Sequence, residues 1–173
     1  SRGISRPTYY RVVVPKVGPL AQDQLEFLCS AATVPEVSTQ NVLAMGHDQQ
    51  GVIRDTPAYV IFGKPFTINV ICDRDYIVYK AVRQWFDTIS TGTNGGPQKM
   101  AYYETFANTD ITLEKLDLNG KDDYSPFVVE FKNAYPTSIS SLEFASDAYD
   151  SRMEFSISFA YETYAFVPNN LGV

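Results

Sequence analysis

The 173-residue chain is long enough for one well-packed core and short for two independent ones, so a single domain over residues 1–173 is expected. Its 14 Lys and Arg against 20 Asp and Glu leave a net charge of −6, which excludes a broad basic surface for gripping nucleic acid or acidic lipid. No run approaches the roughly 20 apolar residues that cross a bilayer, and the opening Ser-Arg-Gly-Ile-Ser-Arg-Pro lacks the apolar segment of a signal peptide, so no membrane insertion is expected.

Alternation of apolar and polar residues dominates the pattern, and it predicts strands. The first candidates span residues 9–14 and 25–31. Residues 37–51, polar and Gln-rich around Met45-Gly46-His47, carry no period and are expected to be a long exposed loop, a kind of segment that often binds a neighbour. Strand character returns at 58–62, and Gly63-Lys64-Pro65 punctuates before Phe66, Ile68, Val70 and Cys72 alternate with Thr67 and Asn69.

The period then changes. Ile77, Val78, Ala81, Val82, Trp85, Phe86 and Ile89 recur at three-and-four spacing, which predicts one amphipathic helix over 76–90 with its stripe packed on a sheet. Asp73 or Asp75 suits its start and Gly92 its end, while Tyr79, Lys80, Arg83, Gln84 and Asp87 form its polar face. After a Gly-rich loop over 91–98, shorter strands are expected at 99–105 and 109–116, then Phe127, Val129 and Phe131 alternate with Val128, Glu130 and Lys132. Tyr135-Pro136-Thr137 reads as a turn before a strand at 140–144. The clearest strand is last: Met153, Phe155, Ile157, Phe159 and Tyr161 face one way, and the alternation runs on toward Phe166. The 12 Tyr, 11 Phe and 1 Trp supply side chains that bury well in such sheets. The expected fold is mainly β, two packed antiparallel sheets flanked by one helix.

Residue chemistry offers no catalytic constellation. His47 is the lone histidine, beside Asp48 and far from any Gly-x-Ser-x-Gly motif. Asp73 and Asp75 sit where caps are needed. Asp117, Asn119, Gly120, Asp122 and Asp123 miss the spacing of a calcium loop. Gly92, Gly95 and Gly96 follow a helix instead of preceding one, so they form no phosphate cradle. Cys29 and Cys72 lie in alternating runs and are expected to be free thiols in the core, and with one histidine they are too few for structural zinc. No enzyme and no cofactor are expected.

Three stretches carry a resemblance. Leu25-Glu-Phe-Leu-Cys-Ser-Ala-Ala-Thr-Val-Pro35, the strand-then-helix unit from Phe66 through Asp75 into the helix, and Phe131-Lys-Asn-Ala-Tyr-Pro-Thr-Ser-Ile-Ser-Ser-Leu-Glu-Phe144 followed by the last strand stand in an order that resembles the tail tube proteins of contractile-tailed bacteriophages. That family is related in fold to the tubes of type VI secretion and other contractile injection systems. Phe62-Gly-Lys-Pro-Phe66 departs from the family by standing where a Gly-Asp-Arg-like turn is frequent.

The resemblance implies a virion structural protein, assembled in the host cytoplasm, whose six-subunit rings join their inner sheets into one barrel and stack into the inner tail tube. Four inner strands per subunit would give about 24 tilted strands and a lumen of roughly 40 Å, wide enough for double-stranded DNA to pass without specific binding. Sheath, baseplate and tape-measure proteins are the implied partners. Six copies carry formally −36, and a lumen lined by acidic and small polar groups would repel phosphate. By analogy with the family's extended hairpin, ring stacking is assigned to the 37–51 loop, with Val37, Gln40, Val42, Met45, His47 and Gln49 as candidate contacts. Rival readings are a tube-initiating baseplate protein or an injection-system tube of the same fold, and, from a different class, a monomeric ligand-binding β module.

Overall fold

The computed structural model describes residues 10–15, 24–27, 29–44, 54–91, 99–107, 109–116, 127–144 and 152–167. In chain order they form β1 (Tyr10–Pro15), β2 (Gln24–Phe27), β3 (Cys29–Thr33), β4 (Val37–Ala44), β5 (Arg54–Phe62), β6 (Phe66–Ile71) and the helix α1 (Ile77–Ile89). Then come β7 (Ser90–Thr91), β8 (Lys99–Met100), the single helical turn α2 (Tyr103–Phe106), β9 (Ile111–Lys115), β10 (Phe127–Lys132), β11 (Tyr135–Ile139), β12 (Glu154–Ala160) and β13 (Thr163–Phe166).

Two antiparallel sheets face each other. One has five strands in the order β13-β10-β9-β1-β2 and the other four, β11-β12-β6-β3. Alternation decides which side of each is buried: Phe66, Ile68 and Val70 lie opposite Phe159, Ile157 and Phe155 in the four-stranded sheet, and Val12, Leu113 and Val129 share a row in the five-stranded one. All of these are buried, and among the described residues no polar or charged side chain is. Phe66 and Phe131 stack across the gap with centroids 4.1 Å apart. The predicted mainly β fold with two packed sheets and a flanking helix is the one observed.

Helix α1 closes one side of this core. Val78, Ala81, Val82 and Trp85 are buried, with Trp85 against Phe159 at 6.1 Å. The Asp73 carboxylate accepts from the Ile77 N–H at 3.0 and 3.2 Å, satisfying a first-turn donor that has no partner within the helix. Four details depart from the expected stripe. Ile77 is 45% exposed, and Phe86 and Ile89 are half-buried. Tyr79, assigned to the polar face, packs edge-on against Phe155 at 5.3 Å. Tyrosine suits both environments, so a ring at the margin of the stripe packs on the core while the residue as a whole stays half-buried.

Several expected strands are corrected. Residues 25–31 are two strands in different sheets, β2 pairing with β1 and β3 with β6. The long last strand likewise breaks after Ala160: β12 pairs with β6, and β13 with β10. Alternation reports which side faces the core, and both sheets share that core, so a chain turning from one sheet to the other keeps its pattern. Tyr161 marks this corner, 1% exposed, its hydroxyl donating to the Gly63 carbonyl, while the Glu162 N–H reaches the Lys132 carbonyl at 3.0 Å.

Tyr135-Pro136-Thr137, expected as a turn, begins β11, and residues 140–144 are not a strand. An edge strand tolerates Pro136 because it needs no ladder partner on one side, and the register shifts between Pro136 and Ser138. Residues 99–105 divide between β8 and α2, so a second helical turn exists, held to the first helix by the Trp85 Nε1–H donating to the Phe106 carbonyl at 3.0 Å.

Candidate assembly surfaces

The segment 37–51, expected to be a loop, is a strand over Val37–Ala44, pairing with β5 along its whole length. Every described side chain from 37 to 42 and from 55 to 61 is exposed. A ribbon wet on both faces needs no alternation of apolar and polar residues, which is why no period betrays it. Its register shifts between Gln40 and Asn41, where Pro57 faces Asn41. The bulge accommodates a residue that has no N–H to donate.

Val37, Gln40 and Val42 of the expected contact set lie on β4, while Met45, His47 and Gln49 lie outside the described residues. The partner strand adds what sequence reasoning did not single out: Tyr59, Val60 and Ile61 form an apolar run that stays exposed, Tyr59 by 60%. That run was legible as a strand, but its exposure was not. At its base the hairpin joins the body through the Gly63 N–H, donating to the Glu36 carbonyl at 2.7 Å, and through Phe62, edge-on to Tyr164 at 5.3 Å. A Cβ on Gly63 would stand 2.9 Å from the Glu36 backbone oxygen, so this close approach requires glycine.

The two sheets differ on their outward faces. Arg11 and Glu114 are paired at 2.6 Å on the five-stranded sheet, and Lys132 reaches Glu130 at 2.8 Å and Asp110 at 2.9 Å. Donating to the Glu130 carboxylate first, then to that of Asp110, raises the Lys132 ammonium above its ordinary range. The four-stranded sheet instead turns Ala31, Thr33, Thr67, Asn69, Ser156 and Ser158 outward, with Ile71 opposite Glu154 at one end of the row. Thr67 and Ser158 hydroxyls meet at 3.1 Å. Glu154 is the single charged residue in its four strands, at one end of the face, where it accepts from the Ser30 hydroxyl at 2.9 Å. β3 and β11 terminate the sheet, and among the described residues neither has a second strand neighbour.

The remaining candidate chemistry is structural where it is described. Asp73 caps α1, and the Asp75 carbonyl accepts from Lys80 Nζ at 2.9 Å. Cys29 and Cys72 are free and half-buried; burial pushes the Cys29 thiol up to about 12 and raises that of Cys72, the opposite of what a nucleophile needs. Among the described residues no group of His, Cys, Asp and Glu could hold a metal, and no helix is long and apolar enough to cross a membrane. His47, Gly92, Gly95, Gly96 and the acidic set at 117–123 lie outside the described residues.

A sheet pair with open edges, one nearly uncharged face and a projecting hairpin fits an assembling subunit, and the family comparison decides the matter: the profile of the phage tail tube protein family matches residues 4–167. The chain belongs to the phage tail tube family. This tail tube fold also resembles that of the anti-feeding prophage tube terminating cap at TM-score 0.67 and 15% identity, covering 98% of this chain and 95% of that one. The sheath/tube terminator of an extracellular contractile injection system matches at 0.67 and 14%, covering 97% and 100%. A chain of the anti-feeding prophage baseplate matches at 0.64 and 5%, covering 96% and 97%. No curated protein matches the sequence. The resemblance to tail tube proteins drawn from motif order is thus matched by the family over residues 4–167, and that family is one of structural tube proteins.

Proposed function

We propose that this tail tube protein closes into six-subunit rings that stack into the inner tube of a contractile virion tail, a conduit for double-stranded DNA. The observation that carries the reading is the four-stranded sheet, which combines two terminal strands with an outward face whose middle is small hydroxyl, amide and methyl groups. Monomeric sheet proteins protect such edges; a ring instead pairs β3 of one copy with β11 of the next. Six copies then contribute about 24 strands to a barrel with a lumen of roughly 40 Å. The charged five-stranded face is left for the tube's exterior, where sheath proteins would dock, with baseplate and tape-measure proteins meeting the tube elsewhere. The hairpin β4–β5 is the stacking element, its exposed Val37, Val42, Tyr59, Val60 and Ile61 covered by the next ring.

Negative-stain microscopy of the purified protein is expected to show rings and tubes. A strict monomer at high concentration would sink the proposal and favour a ligand-binding module. Replacing residues 39–60 by an Asn-Gly turn, across the directly paired Ser38 and Ile61, is expected to leave rings that do not polymerise. Wild-type rings that never stack would instead match the tube-ending role in the names of the terminator neighbours.

A further inference from the structure

We infer that the core-facing margin of the five-stranded sheet at Phe127 and Phe166 is a docking ledge whose occupant is a copy of this chain in the next ring. The inference rests on the proposed stacking role of the β4–β5 hairpin and extends that contact from the ribbon onto the body of the subunit.

Strand register places both phenylalanines on the side that packs the core. Phe166 lies opposite Val129 and Tyr164 opposite Phe131, and Phe127 shares the side of Val129 and Phe131 along β10. Val129 and Phe131 are fully buried, yet Phe166 is 60% exposed and Phe127 38%, their rings edge-on at 5.3 Å. The alternation that builds the core therefore runs on beyond the covered part of the sheet. Apolar rings held on a strand gain free energy when water is removed from them, so an exposed pair continuous with an interface marks part of that interface.

The hairpin supplies the continuity. Val37 lies opposite Phe62 and Thr39 opposite Val60, so Val37, Val60 and Phe62 share one face of the ribbon. Phe62 meets Tyr164 at 5.3 Å, and Tyr164 meets Phe166 at 6.2 Å. One apolar surface thus bends from the ribbon onto the sheet margin. Tyr164 fixes the corner, its hydroxyl donating to the Pro35 carbonyl at 3.0 Å. A neighbour that covers Val37 and Val60 meets Phe166 and Phe127 along the same surface.

Charge favours a copy of this chain over a transient partner. No Lys, Arg, Asp or Glu occurs in Val37–Ala44, in residues 56–62 or in Thr163–Phe166, although such residues make up 20% of the chain. Loss of charge together with exposed aromatics is the composition of the centre of a permanent interface between like subunits.

The test is self-assembly of the full chain, followed by sedimentation and negative-stain microscopy over a range of protein concentrations. Phe166→Ser and, as a second variant, Phe127→Ser are each expected to form rings, which shows that the subunit folds, but to need at least about 10-fold more protein to form tubes. Phe144→Ser is the comparison: it removes a phenylalanine 72% exposed beside Tyr76, before α1, and is expected to leave that concentration within 2-fold of wild type. Tubes at the wild-type concentration from both ledge variants would overturn the inference. An equal loss in Phe144→Ser would overturn it too, because exposed aromatics in general would then drive stacking. Loss of the rings themselves in both ledge variants would place the cover within the ring or within the chain, and so would also overturn it. Wild-type rings that never stack would instead refute the hairpin's stacking role on which the inference rests.

Discussion

The two sheets share one core and differ on the side turned away from it. Inward, both present the same large apolar residues, and Phe66 of one stacks on Phe131 of the other. Outward, the five-stranded sheet carries ion pairs among Arg11, Glu114, Glu130, Lys132 and Asp110, whereas the four-stranded sheet carries mostly hydroxyls, an amide and methyls, with Glu154 as the one charged residue of its strands, opposite Ile71 at the margin. The core requirement acts on one side only, so each outward face is free to answer to its surroundings. The contrast teaches that one core supports two outward faces of different chemistry, an ion-paired one and a nearly uncharged one, which answer to different surroundings.

The largest effect comes from breaking what the sheets have in common. Phe66→Ala removes a fully buried ring between them and is expected to cost about 3–5 kcal/mol, read as a lower denaturation midpoint in urea followed by the fluorescence of Trp85, the chain's single tryptophan. An unchanged midpoint would mean that the sheets do not pack through this contact.

Next in size are the groups buried where the sheets meet. Burial, with Tyr164 beside it, pushes the Tyr161 hydroxyl from 10.0 up to about 12, and burial pushes the Cys29 thiol from 9.0 up to about 12. Both are acids kept neutral in the folded chain, so unfolding at high pH releases their protons. Their contribution is fully present below pH 9 and is lost as pH rises from about 9 to about 12. Tyr161→Phe is expected to lower stability at neutral pH by about 1–2 kcal/mol, through the lost hydrogen bond to Gly63, and to flatten the decline above pH 10. Cys29→Ala should flatten the part that begins at pH 9. An alkaline limb identical in both variants would refute the assignment.

Capping ranks third: Asp73→Ala leaves the Ile77 N–H without its acceptor and is expected to cost about 1 kcal/mol, measured by the same midpoint. The smallest effects sharpen the comparison itself. Glu114→Gln on the charged face is expected to cost less than about 1 kcal/mol, fading at high salt. Asn69→Asp on the neutral face should change subunit stability by no more than about 0.5 kcal/mol at any salt concentration, since Asn69 is exposed and no charged group lies opposite it in the ladder. A large loss from Asn69→Asp would show that its amide holds the sheet together.

Legibility in the sequence followed the strength of the hydrophobic contrast. Phe66 to Val70 and Phe155 to Phe159 alternate sharply because one side is buried and the other wet, and both strands were readable. The stripe from Val78 to Trp85 was readable for the same reason at helical period, though Ile77 and Tyr79 were misplaced at its margins. The hairpin was half lost: β4 has no buried side, so it resembled a loop, and only part of β5 was recognised. Of the candidate surface, Val37, Gln40 and Val42 were named by analogy with the family's extended hairpin, while the outward row from Thr67 to Ser158 is the polar half of each alternation, which local pattern does not distinguish from any wet face.

By itself, the sequence determined the β-rich class, the long helix over Ile77–Ile89 and the inward residues of the core strands, because each follows from local periodicity. The tertiary structure alone decided that residues 24–33 and 154–166 each divide between two sheets, that Pro136 occupies an edge strand, and that the outward faces differ in charge. Those outcomes depend on which strand lies beside which, and pairing between residues such as Arg11 and Glu114 or Ser30 and Glu154 is set by the packing of the whole chain, not by any local pattern.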